Sequence, residues 1–278
     1  MAIDLLELRE QSPDPFILIQ SKDGANIFLR EWKSAATNNS VAIVILHGIT
    51  AHSKPYDFIA KPLSEAGFQV FGLDMRGHGL SDGKRGDYAS IKVVLNDLEA
   101  VLEYLNANFE RVIILGHSMG VITSFFIINA FPDKINGLIL LSAARAVREG
   151  IYPKPPLFKK LKILSRSILQ PSKPVIRYYR KGMQGADDPL FNFNYSLRFM
   201  KIFNAKNVIV PDHIEIPVLV GVGDKDELFT VDSVKDLFDE VPTSDKEFIV
   251  IRGARHAVFP EGYEGTQIIS WLRKHYVK

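Results

Sequence analysis

The sequence predicts an α/β protein with a mostly parallel central sheet, helices on both faces, and one helical cap insertion. Three observations carry this. Short, wholly apolar blocks at residues 41–46, 112–115 and 218–222 have the length and β-branched content of strands buried on both faces. Longer amphipathic stretches alternate with them, and parallel neighbours need such crossovers. The alternation lapses between residues 143 and 206, where six prolines interrupt the chain and no strand pattern is visible.

Residues 16–19 and 27–31, separated by Asp23-Gly24, predict an opening antiparallel hairpin. The buried strand 41–46 ends at His47-Gly48-Ile49-Thr50. A helix over 56–66, Gly67 and a strand over 70–73 follow. A polar, glycine-rich loop over 74–83 leads to a helix over 90–108, with Val94, Leu98, Val101, Leu102 and Leu105 on one face. Next come strand 112–115, a helix over 121–130 that stops before Pro132, and strand 137–141. In the insertion, Leu157, Phe158, Leu161, Leu164 and Ile168 are at helical spacing. The sheet resumes with strands 218–222 and 247–251, and helices are expected over 233–240 and 264–276.

A chain of 278 residues fits two domains, or a single α/β domain with one insertion. The expected division is a core of residues 1–142 and 207–278 and a cap of residues 143–206. Apolar residues at 46% and charged ones at 24% exclude a disordered or fibrous protein. No window reaches the roughly 18 apolar residues of a membrane span. Asp4, Glu7 and Glu10 stand where an export signal would be basic and then apolar, so a cytoplasmic address is expected. The absence of cysteine agrees with it, and excludes disulfides and thiolate chemistry. The net charge of +2 conceals an asymmetry: residues 145–181 hold eleven Lys or Arg against Glu149 alone. Such a segment is expected to be a separate structural unit.

The chemistry centres on Gly116-His117-Ser118-Met119-Gly120, between a buried strand and a buried helix. A chain turns from strand to helix over one residue only where its flanks lack bulk. Glycines two residues either side of Ser118 therefore predict a strained turn that presents its hydroxyl. A serine hydroxyl needs a base oriented by a carboxylate, in the chain order Ser, acid, His for this strand–turn–helix arrangement. Of seven histidines, His47, His52, His78 and His117 precede the nucleophile, His213 precedes the next strand, and His275 lies on an amphipathic terminal helix. His256, in the loop after strand 247–251, is the expected base. Asp224, Asp226 and Glu227 follow a strand end. Asp226 is the expected acid, with Asp224 the alternative or else a turn residue. Two fixed donors are needed for the oxyanion: the N–H of Met119 and one from the loop after Leu46, where Ile49 is best placed. Losing such a donor typically reduces kcat by about 10²–10³.

His47-Gly48, the loop 74–81, the Gly116–Gly120 motif, Gly223-Asp224-Lys225-Asp226 and His256 together resemble the α/β-hydrolases of the monoacylglycerol lipase and lysophospholipase group, also called serine aminopeptidase-like. The resemblance covers roughly residues 27–142 and 212–275 and leaves the insertion unmatched. It implies an α/β-hydrolase fold in which the family's Gly-x-x-Asp acid motif falls on Gly223 and Asp226 and its oxyanion residues on Ile49 and Met119. It also implies hydrolysis of monoacylglycerols or similar single-chain lipid esters under a mobile cap, without a cofactor. Members differ in substrate: a general carboxylesterase, a lysophospholipase, an acyltransferase and a ligand-binding receptor are alternatives.

Other readings are weaker. Gly77-His-Gly-Leu-Ser-Asp-Gly83 faintly resembles a dinucleotide fingerprint, but Asp82 stands where its third glycine belongs. His47 and His52 do not form a zinc-binding pattern, and no metal is implied. The basic segment lacks any nucleic-acid-binding module, so no nucleic-acid partner is expected. Its Lys and Arg residues, interleaved with Leu157, Phe158, Ile163 and Leu164, suit peripheral contact with an anionic membrane. Phe158, Phe191, Phe193, Tyr195, Phe199, Phe203 and Phe229 are candidates to line an acyl tunnel, or else form the core of the cap. Of these, Phe158, Phe191, Phe193 and Phe229 are the candidate substrate contacts.

Overall fold

Alternating apolar strands and amphipathic helices produce a twisted eight-stranded sheet in the computed structural model, which describes residues 4–34, 40–151, 156–180 and 183–277. A short α1 (Leu5–Glu10) precedes the hairpin β1 (Phe16–Gln20) and β2 (Asn26–Trp32), then β3 (Val41–Leu46), α2 (Asp57–Glu65) and β4 (Gln69–Leu73). Next come α3 (Ile91–Asn108), β5 (Arg111–His117), α4 (Met119–Ala130) and β6 (Gly137–Leu141). After a long excursion the chain returns as β9 (Val218–Gly223), α7 (Val231–Glu240), β10 (Lys246–Ile251) and α8 (Thr266–Tyr276). The strand order is β1-β2-β4-β3-β5-β6-β9-β10, with β1, β2 and β4 mutually antiparallel where they pair and every later pairing parallel.

Alternation along the buried strands divides the core in two. Val44, Ile114, Leu140 and Val220 face α3, α4 and α7, whereas Ile43, Ile113, Ile139 and Leu219 face α2 and α8. Because α4 is buried nearly all round, its sequence shows no polar stripe. The parallel register sets Leu46 beside Gly116, His117 beside Leu141, and Ile251 beside Gly223. The loops after β3, β5, β9 and β10 thus emerge at one edge, where ligands bind in open α/β sheets.

The excursion between β6 and β9 is not wholly helical, as the sequence suggested. It holds α5 (Leu157–Leu169), a two-stranded antiparallel ribbon of β7 (Pro174–Arg177) and β8 (Asn194–Ser196), and α6 (Leu197–Ile202). Strands this short, one opening on proline, carry too few residues to display a period of two. Tyr195, Phe199, Ile202 and Phe203 are buried and join the core against α3 and α4. In α5, by contrast, Leu157, Phe158, Leu161, Leu164, Ile168 and Leu169 are all exposed. Among the described residues, no helix is long and apolar enough to cross a membrane.

Candidate active site

Ser118 lies between β5 and α4 with φ of +56° and ψ of −115°, a conformation that a residue with a side chain rarely adopts. Close packing around the turn makes glycine necessary at both flanks. A Cβ on Gly120 would lie 2.0 Å from the Leu46 carbonyl oxygen, and one on Gly116 would lie 2.4 Å from Ser124 Oγ. The strain holds the hydroxyl clear of the backbone, as in a nucleophile elbow.

His256 Nε2 lies 3.0 Å from Ser118 Oγ, and its Nδ1 lies 3.0 Å from Asp226 Oδ2. Since an ionised carboxylate only accepts, Nδ1 carries the ring proton and Nε2 is left to accept from the serine hydroxyl. The other carboxylate oxygen of Asp226 accepts from the amides of Leu228 at 2.8 Å and Phe229 at 3.0 Å. Burial pushes the Asp226 pKa up, but its hydrogen bond with His256, the charge there and the two amides outweigh this and hold it below the ordinary value. Asp224, the alternative acid, is exposed and accepts from Gly253 N–H at 2.7 Å as a turn residue. Glu227 Oε2 accepts from the His256 amide at 3.1 Å, and its Oε1 from Arg180 at 2.6 Å, so it braces the base from outside the chain of three.

Two buried residues unmarked by the sequence reading support this arrangement. His117 Nε2 donates to the His256 carbonyl at 2.7 Å, while its Nδ1 accepts from the Tyr56 hydroxyl at 2.8 Å. Tyr56 in turn accepts from Gly48 N–H at 2.8 Å. One chain of hydrogen bonds thereby links the loop after β3 to the loop after β10. Burial, and then the neighbouring His256, lower the His117 pKa to about 3, so it is neutral at pH 7. His117 is one of the two variable residues of the elbow motif, and only its position beside Ser118 hints at a role. The glycine-rich loop over 74–83 is likewise structural: Asp74 accepts from Ser53 N–H at 2.6 Å and Leu80 N–H at 2.7 Å.

Ile49 and Met119 stand with Ser118 in the wall of an apolar cavity of about 210 Å³, together with Ile122, Met200, Phe203 and Phe229. A second cavity of about 110 Å³ also borders Ser118, and there Phe191, Tyr178, Arg180, Glu227 and Arg255 contribute to the wall. Tyr178 borders both. The four aromatic candidates separate. Phe229 lines the apolar cavity, 5.5 Å from the His256 ring, and Phe191 lines the smaller one. Phe193 stacks on Phe191 without reaching either. The expectation for Phe158 needs correction: it is 73% exposed on α5, because that helix turns its apolar face outward.

The sequence pattern of the serine aminopeptidase family S33 matches residues 37–262. The chain belongs to this family. It is 26% identical over 269 residues to the monoacylglycerol lipase of Mycolicibacterium smegmatis, covering 91% of this chain and 94% of that one. It is also 26% identical over 265 residues to the monoglyceride lipase of Rattus norvegicus, covering 89% and 85%. The crystal structure of Paleococcus ferrophilus monoacylglycerol lipase superposes with a TM-score of 0.70 at 26% identity, over 90% of this chain and 99% of that one. These likenesses put the protein among the ester hydrolases of the α/β-hydrolase fold, in the monoacylglycerol lipase-like group.

Proposed function

We propose that the protein cleaves monoacylglycerols or similar single-chain lipid esters through an acyl-enzyme on Ser118. The observation that carries this is the strained serine joined by two 3.0 Å hydrogen bonds to His256 and Asp226, between a larger apolar cavity and a smaller one that also holds Arg180, Glu227 and Arg255. Ser118 Oγ attacks the ester carbonyl as His256 Nε2 takes its proton, and ionised Asp226 stabilises the imidazolium. The N–H groups of Met119 and Ile49 receive the oxyanion. Collapse expels the alcohol, protonated by His256. A water deprotonated by the same nitrogen then releases the fatty acid. The acyl chain occupies the 210 Å³ cavity, which is larger and more uniformly apolar, and the alcohol the 110 Å³ one, where Arg180, Glu227 and Arg255 supply polar groups. Residues 143–206 form the cap over this site.

Exposed Leu157, Leu161, Leu164 and Ile168 share one side of α5, and Lys159, Lys162 and Arg166 lie opposite. This supports peripheral docking of a cytoplasmic enzyme on anionic lipid, where its substrate is dissolved. Binding to anionic vesicles should exceed binding to neutral ones and weaken on Leu161→Glu; equal binding to both at low salt would remove the idea.

The decisive test of the main reading is multiple-turnover hydrolysis of p-nitrophenyl esters and monoacylglycerols. Ser118→Ala should lower kcat on the order of 10⁶-fold. Acylation without release would favour a ligand-binding role instead.

A further inference from the structure

Ile49 belongs to two peptide planes, one on each side of its Cα. The plane that carries its N–H also carries the Gly48 carbonyl, which accepts from His47 Nδ1 at 2.8 Å and from Ala51 N–H at 3.1 Å. His47 Nε2 accepts in turn from Met75 N–H at 3.1 Å, so the ring is held in one neutral tautomer. The following plane carries the Ile49 carbonyl, which accepts from His78 Nε2 at 3.0 Å and from the Tyr195 hydroxyl, whose single proton is shared with the Asn192 carbonyl at 2.6 Å. With both rigid planes pinned, the φ and ψ of Ile49 are determined, and so is the direction of its N–H.

Tyr195 belongs to β8, about 146 residues away in the chain and inside the insertion, and it is fully buried. Two neighbours reach the same loop. Asn192 N–H donates to the Thr50 carbonyl at 2.9 Å, and Asp188 Oδ2 lies 3.0 Å from His52 Nε2. Three consecutive contacts therefore run between residues 188–195 and residues 49–52, in antiparallel order. Both Arg85 contacts strengthen the seat of this stretch: one to the Gly79 carbonyl at 2.9 Å and one to the Leu190 carbonyl. Covering a pocket requires no such contact with the backbone beside a nucleophile.

We propose that residues 188–195 of the insertion splint the oxyanion loop, with Tyr195 as a positioning residue that aims the Ile49 N–H at the reacting carbonyl. Turnover then depends on how this stretch is seated, not only on the pocket it covers. The inference rests on the ester-cleaving reading given above, and on Ile49 as a donor within it.

Tyr195→Phe removes one hydroxyl and leaves the ring in its packing. Deleting an oxyanion donor typically reduces kcat by about 10²–10³, and misdirecting one should do less, about ten- to a hundredfold. KM should stay within about threefold. The readout that a packing role would not move is a long-chain trifluoromethyl ketone. Ser118 Oγ adds reversibly to its carbonyl carbon, the proton passes to His256, and the new oxyanion needs the same N–H groups. Its affinity should weaken by the same factor as kcat/KM, while that of the product fatty acid is unchanged. Tyr104→Phe, on α3 remote from the site, should alter neither. If Tyr195→Phe does not fold, Asp188→Ala serves as the second variant, with a smaller loss of the same signature. Wild-type kcat and ketone affinity in the folded variants would overturn the proposal, as would equal weakening of ketone and fatty acid. Failure of the wild type itself to turn over any ester would instead strike the functional reading beneath it.

Discussion

Replacing Asp226 by asparagine isolates the carboxylate's part in the proposed proton transfer. Its Oδ1 accepts from two backbone amides, at 2.8 and 3.0 Å, and Oδ2 faces His256 Nδ1 at 3.0 Å. In Asp226→Asn the amide oxygen must stay with the two N–H groups, since an NH₂ there would face two donors. The NH₂ then points at His256 Nδ1 and makes it an acceptor, so the ring proton moves to Nε2. A protonated Nε2, 3.0 Å from Ser118 Oγ, cannot take the serine's proton. The expected loss in kcat is on the order of 10⁴, or about 5 kcal/mol, as for an asparagine in the same place in other serine triads. Because both amide bonds survive, the melting temperature should change little. The assay is steady-state hydrolysis of p-nitrophenyl butyrate at pH 7.5, with Asp224→Asn as the companion variant. Asp224 is exposed and its side chain holds Gly253 N–H, so that variant should retain activity within about threefold. A tenth or more of wild-type kcat in Asp226→Asn, or an equal loss in Asp224→Asn, would refute the reasoning.

Acid should unfold the protein earlier than its carboxylates alone would. Burial lowers the pKa of His47 to about 4 and of His117 to about 3, and holds His78 well below 6.5. Below pH 6.5 the unfolded chain binds up to three protons that the folded one refuses. Stability is therefore lost as pH falls from 6.5, by about 4 kcal/mol per unit once all three titrate. Urea unfolding at pH 7, 6 and 5 measures this, and a flat profile would exclude it. In the apolar cavity, Ala144→Trp should shorten the preferred acyl chain. Each methylene shut out forfeits about 0.8 kcal/mol, roughly fourfold in kcat/KM. Equal losses on butyrate and laurate esters would show that the chain lies elsewhere.

The order of strands and helices was legible in the sequence because the interior strands are short apolar blocks and the helices between them keep one apolar face. Local chemistry also marked the elbow, since only glycine lets Leu46, Ser124 and the serine turn crowd together. The choice of Ser118, Asp226 and His256 followed from chain order and motif, and the structure brings those side chains within hydrogen-bond distance. What lay beyond reach depends on contacts between distant segments, which leave no period or motif. The ribbon of β7 and β8 exists because two short stretches meet across the insertion, and the outward face of α5 looks in sequence like any buried one. Phe158 and Phe229 are alike as residues; packing put one at the surface and the other beside His256. The links from Tyr56 through His117 to His256, and from Tyr195 to Ile49, arise only when chain segments 61 to 146 residues apart share one small, dry space where each polar group must find a partner.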